Sequence, residues 1–319
     1  MKNFALIGAS GYIAPRHMRA IKETGNELLV AFDPYDGIGI MDSNFPQAHF
    51  FTEFELFESF VERRQRNEKE KIEYISIASP NYLHYSHIRA ALQNQAHAIC
   101  EKPLVLDPKE IDELLVMEKQ SGKRVYTVLQ LRLHDSIVAL KKKIAEELKQ
   151  NPSKIFDIDL TYITSRGRWY FESWKGNEAK SGGIASNIGV HFFDMLSWIF
   201  GDVKESFVHV KQADANAGFM RLENANVRWF LSVNYDYVPE QLKVTGQRTY
   251  RSIVVDGEEI EFSEGFGDLH TKSYQDILSG GGFGLESARS SINIVSEIRK
   301  LAPLGLQGEY HQFCGKVVS

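Results

Sequence analysis

The first 33 residues constrain the fold most. Phe4-Ala5-Leu6-Ile7 is a short apolar run, the pattern of a parallel strand buried on both faces. It enters Gly8-Ala9-Ser10-Gly11-Tyr12-Ile13-Ala14, after which a helix is expected to about Thr24. A second run, Leu28-Leu29-Val30-Ala31-Phe32, stops at Asp33, 25 residues beyond Gly8. Strand, glycine turn, helix, strand and acid, in that order, describe a dinucleotide-binding unit. The spacing is G-x-x-G-x-x-A, and the physics of the commoner G-x-G-x-x-G survives the change. Gly8 permits the tight turn, Gly11 lets a pyrophosphate approach a helix N-terminus, and Ala14 allows close helix–strand packing. Asp33 would accept from ribose hydroxyls and repel a 2′-phosphate, which favours NAD over NADP. A purely structural βαβ turn is the alternative.

The alternation continues. Asp42 to Glu70 carries an apolar/acidic helix pattern, ending in a charged run from Glu62 to Lys71 that reads as a solvated helix end and loop. A strand at Tyr74 to Ala78 ends in Ser79-Pro80-Asn81, and a helix from about Leu83 to Asn94 leads to the strand at Ala98. That strand stops at Glu101-Lys102-Pro103. Proline pushes the preceding residue out of the helical region, so Lys102 should be extended at the carboxyl end of a strand. Ligands of open α/β sheets bind at that end. Asp107 and Pro108 open a helix to Ser121, and Arg124 to Leu129 is a further strand. Residues 1–126 thus read as a doubly wound parallel sheet, a Rossmann domain.

After Gln130 the pattern changes. Ser136 to Gln150 is an amphipathic helix. Phe156, Ile158, Leu160 and Tyr162 alternate with polar residues, as do Val227, Trp229, Leu231 and Val233. Asp256-Gly257 between two β-rich runs in Tyr250 to Phe262 is a hairpin signal. Residues 127–319 therefore read as an α+β domain with a large, mostly antiparallel, open-faced sheet. Gly280 to Gly284 breaks the chain before a helix at about Leu285 to Leu301. The tail from Pro303 is poorly patterned, and disorder is the expectation there.

Composition narrows the classes of function. With 37 basic and 42 acidic residues among 319, the formal net charge is −5, which gives no reason to expect nucleic acid or a membrane surface as a partner. Cys100 and Cys314, the two cysteines, suggest neither a disulfide framework nor a metal site. No apolar run approaches the ~18 residues of a membrane span. The N-terminus enters a strand pattern at once, so the expected setting is cytoplasmic.

A second constellation lies between Ser181 and Asp194. Its glycine-rich start becomes an apolar helix carrying Asn187 and His191, four residues apart and hence on one face. Asp194, three further on, is placed to orient His191. Histidine is the usual general base near neutral pH; a satisfied core histidine is the alternative.

Gly8-x-x-Gly11-x-x-Ala14, Ser79-Pro80-Asn81 with His84, Glu101-Lys102-Pro103 and Gly189-x-His191-x-x-Asp194 occur in this order. Together they resemble the Gfo/Idh/MocA oxidoreductase family, over the chain to about Leu301. The resemblance implies NAD as cofactor and places Lys102 and His191 beside nicotinamide and sugar as the catalytic pair, bridging two domains. The family's acid four residues before the histidine is Asn187 here. This removes a negative charge and suits an anionic substrate. The stretches Gly11 to His17, Ser79 to Tyr85, Thr161 to Gly167 and Asn187 to Phe192 resemble the family's branch of nucleotide-sugar uronate 3-dehydrogenases. That branch implies oxidation of a UDP-linked N-acetyl-hexosaminuronate at C3 in bacterial surface-polysaccharide synthesis. It further implies NADH recycled by 2-oxoglutarate and a homotetramer. That residues 127–319 bind substrate and oligomerise is likewise what the family resemblance implies. Candidate cofactor contacts are Gly8, Ser10, Gly11, Tyr12, Ile13, Asp33, Ser79, Pro80, Asn81, His84, Glu101, Lys102 and Gln130. Candidate substrate contacts are Lys102, Arg166, Trp169, Tyr170, Asn187, His191, Tyr250 and Arg251. An arginine at Arg166 or Arg168 would clamp a carboxylate bidentately; a solvated loop is the alternative. Glu101 would hold Lys102 in place, and His270 and Tyr274 read as structural. The rival functions are a free-sugar or cyclitol dehydrogenase and a non-catalytic NAD-binding regulator.

Overall fold

The computed structural model describes residues 1–260 and 265–318. They form two compact units. The first comprises Met1–Gln130 and Gly267–Arg289, the second Leu131–Phe266 and the chain from Ser290 on.

In the first unit the strands β1 (Asn3–Ile7), β2 (Glu27–Phe32), β3 (His49–Phe51), β4 (Tyr74–Ile77), β5 (His97–Cys100) and β6 (Val125–Thr127) form one sheet in the order β3-β2-β1-β4-β5-β6. Every neighbouring pair is parallel. Helices α1 (Ala14–Glu23), α2 (Ile38–Asn44), α3 (Phe54–Arg64), α4 (His84–Gln93) and α5 (Pro108–Ser121) connect them. The strand order reverses at β1/β4, where doubly wound sheets hold their ligands. Local chemistry explains the ends of α5. The Asp107 side chain accepts from Lys109 N–H, Glu110 reaches back in a capping box, and Gly122 terminates the helix at φ 66°. The helical reading of 42–70 is corrected at one point, because the edge strand β3 interrupts it. Three residues are too few to display a strand's alternation.

The second unit begins with α6 (Asp135–Gln150) and carries β7 (Phe156–Thr164), the apolar helix α7 (Val190–Phe200), β8 (Val203–Lys211), β9 (Ala215–Leu222), β10 (Ala225–Ser232), β11 (Thr249–Val255) and β12 (Glu258–Glu259). The sheet order is β12-β11-β7-β10-β9-β8. All neighbours are antiparallel except β7 and β10, which pair in parallel from Phe156↔Ala225 to Ile163↔Ser232. The hairpin forms at Asp256-Gly257, with φ 49° and 83°. Its expected continuation at 261–262 lies outside the described residues.

One face of this sheet packs on α7, through Phe193 against Trp229, Phe200 against Phe156 and Phe192 against Tyr162. The opposite face is the outer one, and the expectation of a disordered tail is corrected there. The tail crosses that face: Leu304 N–H donates to Val208 O, Phe313 meets Phe230, and His311 Nε2 lies 2.9 Å from Thr161 Oγ1. The division of the chain is also discontinuous. Helix α8 (Leu269–Leu278) returns to the first unit, where Tyr274 joins Phe4, Ile99 and Tyr126 in the core. The helix α9 (Leu285–Lys300) follows it.

Candidate active site

In the first unit the glycine turn is built by exclusion. Gly8 has φ 88°, and a Cβ there would sit 2.6–2.7 Å from the Ala78 carbonyl and Ser79 nitrogen. Only glycine lets β1 pass β4 so closely. Gly8 N–H donates to Phe32 O, Gly11 N–H to Gly8 O and Ala14 N–H to Gly11 O. Helix α1 starts with Pro15 in its first turn and no side-chain cap, so its first amides point at the loop as a ready anion site. Asp33 is buried. Its Oδ2 accepts from Ser10 N–H and its Oδ1 from Tyr35 N–H, both at 3.0 Å. The carboxylate thus ties the loop to the end of β2 and keeps lone pairs for ribose hydroxyls. Tyr12 and its neighbour Ile13 lie at the helix start, with Tyr12 exposed.

The other predicted cofactor residues cluster at the carboxyl ends of β4 and β5. Ser79 Oγ lies 2.8 Å from His87 Nδ1, and burial pushes that histidine down to about 4. His84 bridges two carbonyls at 2.8 Å each, Pro103 O through Nδ1 and Ser79 O through Nε2. Burial pushes its pKa down against these acceptors. The ring thereby locks the loop after Lys102 to the loop after β4. Pro80 precedes the short turn Asn81–Leu83, and Asn81 is buried. Gln130 Oε1 and Thr127 Oγ1, at the end of β6, are buried with no hydrogen-bond partner among the described residues. Orphaned polar atoms of this kind fit a bound polar group, and with the glycine cradle they fit a dinucleotide.

Glu101 lies at the end of β5, just before Lys102. It is buried, and its Oε1 takes His17 Nε2 at 3.1 Å and His270 Nε2 at 2.8 Å. Its Oε2 accepts the Lys102 main-chain N–H at 3.2 Å. Burial opposes the charge, but the two imidazole donors overcome it and hold the carboxyl well below the usual range. Lys102 follows directly, half-buried, with a cis peptide to Pro103.

In the second unit, Ala185–Gly189 forms a π-helical turn that runs into α7. Such turns recur at functional sites. Between Ile184 and Phe200 all residues are buried except Asn187, His191 and Trp198, which therefore mark one stripe. Asn187 Nδ2 donates to Tyr170 Oη at 3.0 Å. Burial pushes the Tyr170 phenol up, so it stays protonated. The Tyr162 ring lies 6.0 Å from His191, and the Arg251 guanidinium lies 5.5 Å over Tyr162. The structure thus brings Tyr170, Asn187, His191 and Arg251 to one side of the sheet. Arg166 lies exposed on the loop before the short helical turn Trp169–Glu172, whose exposed Trp169 stands beside Tyr170. Tyr250 is on the opposite face, among Phe230, Phe313 and the tail, because β-strand side chains alternate.

Asp194 does not orient His191. Both its oxygens are taken by Arg132, from Nη2 at 2.7 Å and Nε at 2.9 Å, inside the protein. Sequence reading passed over Tyr162, Arg132 and His17. Tyr162 had a signal, since its inward phase on β7 is that of Leu160 and Ile158. The other two lack one, because their partners are 62 and 84 residues away.

Comparison with known proteins places the fold in a family. Residues 2–129 match the oxidoreductase family with NAD-binding Rossmann fold, and residues 152–245 its C-terminal alpha/beta domain. The WlbA (WbpB) dehydrogenase from Thermus thermophilus, solved with NAD and alpha-ketoglutarate, is 52% identical over 98% of this chain and 100% of its own, with a TM-score of 0.94. The same dehydrogenase with NAD and UDP-GlcNAcA gives 51% and 0.93. D-glucoside 3-dehydrogenase of Escherichia coli K12 is 26% identical over 46% of this chain. Glucose-6-phosphate 3-dehydrogenase of Bacillus subtilis 168 is 27% identical over 63%. The matched stretches span 40% and 54% of those two curated relatives' length. No described helix is long and apolar enough to cross a membrane. With both family domains matched and half of all residues shared with a solved relative along nearly the whole chain, the protein belongs to the Gfo/Idh/MocA family of NAD-binding oxidoreductases.

Proposed function

We propose that the protein oxidises the C3 hydroxyl of a UDP-linked N-acetyl-glucosaminuronate to the 3-keto sugar. The observation that carries this reading is the 51% identity, over 98% of the chain, to a dehydrogenase crystallised with NAD and UDP-GlcNAcA. The residues of the candidate site support it. NAD supplies a hydride acceptor when bound at the glycine turn. The C3–H bond breaks as a hydride, the hydroxyl loses its proton, and the C3–O bond becomes a carbonyl.

His191 takes the hydroxyl proton in this scheme. Lys102 donates to the same oxygen and stabilises its developing charge; the two can exchange roles, since lysine also serves as a base when desolvated. Asn187, held by Tyr170, offers a neutral hydrogen bond where a carboxylate would repel an acidic sugar. Arg166 or Arg251 binds the uronate carboxylate. NADH is returned to NAD by reduction of 2-oxoglutarate, the reading supported by the Thermus dehydrogenase solved with alpha-ketoglutarate. A role in lipopolysaccharide sugar synthesis, a cytoplasmic setting and a homotetramer belong to the same proposal.

The test incubates the protein with the nucleotide uronate, its uncharged hexose counterpart and free sugars, each with and without 2-oxoglutarate. Formation of a 3-keto uronate with matching reduction of NAD or of the oxo acid is expected. No turnover of the uronate under either condition refutes the proposal; turnover of a free sugar alone favours the free-sugar dehydrogenase.

A further inference from the structure

The first unit contains a buried chain of titratable groups that the scheme above does not use. Ser76 Oγ lies 2.6 Å from Tyr274 Oη, which lies 2.7 Å from His17 Nδ1. His17 Nε2 and His270 Nε2 then meet at Glu101 Oε1. Four elements contribute: β4, α1, α8 and the end of β5.

The protons in this chain can be assigned. Glu101, ionised, only accepts, so both Nε2 atoms carry protons. Burial pushes His17 down, so its ring is neutral and its Nδ1 must accept. Tyr274, pushed well up by burial, stays protonated and donates to that Nδ1. Its oxygen then accepts from Ser76. Every donor finds an acceptor in one direction only, ending on a carboxylate whose second oxygen holds the Lys102 main-chain N–H.

We propose that His17 is a positioning residue for Lys102, acting with His270 through the ionised carboxylate of Glu101. The inference rests on the role given to Lys102 above. The imidazoles fix the carboxylate's orientation and charge, and the carboxylate fixes the backbone from which the lysine side chain departs. The groups facing Glu101 are His17 from α1, His270 and Tyr274 from α8, His84 from the start of α4, and Cys100 and Lys102 beside it in sequence. Removing the His17 donor leaves a buried carboxylate with less to hold its charge, so its pKa rises. Turnover then acquires a dependence on a group that must be deprotonated.

The experiment uses the full chain with NAD bound. His17→Ala should lower kcat about tenfold or more, as expected for a misplaced reacting group. It should also shift the acid limb of the kcat–pH profile to higher pH, with KM little changed. His17→Gln, whose amide reaches the same carboxylate, should restore much of kcat and return the limb. A profile for His17→Ala that overlays the wild type after scaling, or His17→Gln no better than Ala, overturns the proposal. If His17→Ala does not fold, His270→Ala is read by the same two criteria. Ring 15N spectra of the wild type test the assignment without substrate: Nε2–H on His17 supports it, and Nδ1–H overturns it. A wild-type protein inert toward the uronate sinks the proposed substrate alone, while the 15N spectra and the carboxyl infrared band of Glu101 still decide the network.

Discussion

Arg132 and Asp194 form a bidentate pair with side chains 9% and 2% exposed, so solvent screens little of what happens when one partner is lost. Burial outweighs the two donors and pushes the Asp194 carboxyl up. The pair is therefore not a net source of stability, although breaking it is costly. Arg132→Met strands a buried carboxylate and should cost about 3–5 kcal/mol at pH 7. It also removes a guanidinium 5.5 Å over the Trp198 ring, a contact worth roughly 0.5–1 kcal/mol. The sign of the pH dependence follows from Asp194. With no donor, its folded pKa lies above the already raised wild-type one, so the stranded-charge penalty is absent wherever the wild-type carboxyl is itself protonated. It then grows by about 1.4 kcal/mol per pH unit until the folded pKa is reached. Arg132→Met/Asp194→Leu removes the stranded charge and should recover to within about 1 kcal/mol of wild type or exceed it. Denaturant unfolding, followed by tryptophan fluorescence at pH 5 and pH 7, measures all three proteins. A double variant as unstable as Arg132→Met, or a single-variant penalty equal at both pH values, would refute the reasoning.

Gly8→Ala must place a Cβ at φ 88° and 2.6 Å from the Ala78 backbone. The left-handed backbone costs about 1–2 kcal/mol and the overlap about 1–3 more, so a fall in Tm with weakened NAD binding is expected in calorimetry; unchanged values contradict the close approach. His311 donates through Nε2 to Thr161 and accepts through Nδ1 from Phe313 N–H, an arrangement only the neutral ring can make. Burial lowers its pKa from 6.5 to about 4. Its contribution is whole above pH 6.5 and lost as pH falls toward 4, about 2 kcal/mol at pH 5. Amide exchange of residues 310–317 should accelerate at pH 5 relative to its intrinsic rate, and protection equal to that at pH 7 would contradict this. Lys102→Ala and His191→Ala should each lose at least ~100-fold in kcat, and near-normal turnover in either removes that residue from the scheme.

Much of the first unit was legible because its information is local. Parallel strands buried on both faces write continuous apolar runs, and Gly8, Pro108 and Gly122 punctuate them through backbone constraints that act within a few residues. The Asp256-Gly257 turn was legible for the same reason. Of the candidate site, the positions of Gly8, Asp33, Glu101 and the Asn187/His191 stripe followed from spacing. Tyr250 was read with Arg251 as one candidate pair, and strand alternation sends them to opposite faces.

By itself, then, the sequence determined a βαβ nucleotide-binding unit and a second sheet, and offered Lys102 and His191 as a candidate pair. Tertiary structure decided who pairs with whom. Asp194 stands three residues from His191 yet binds Arg132, and Glu101 stands beside Lys102 yet binds His17 and His270 from 84 and 169 residues away. A buried charge must find donors wherever packing brings them, and that search is not limited to chain neighbours. The same reason returns α8 to the first unit and lays the tail on the second sheet: apolar faces are covered by whatever segment reaches them, and reach is a property of the folded chain.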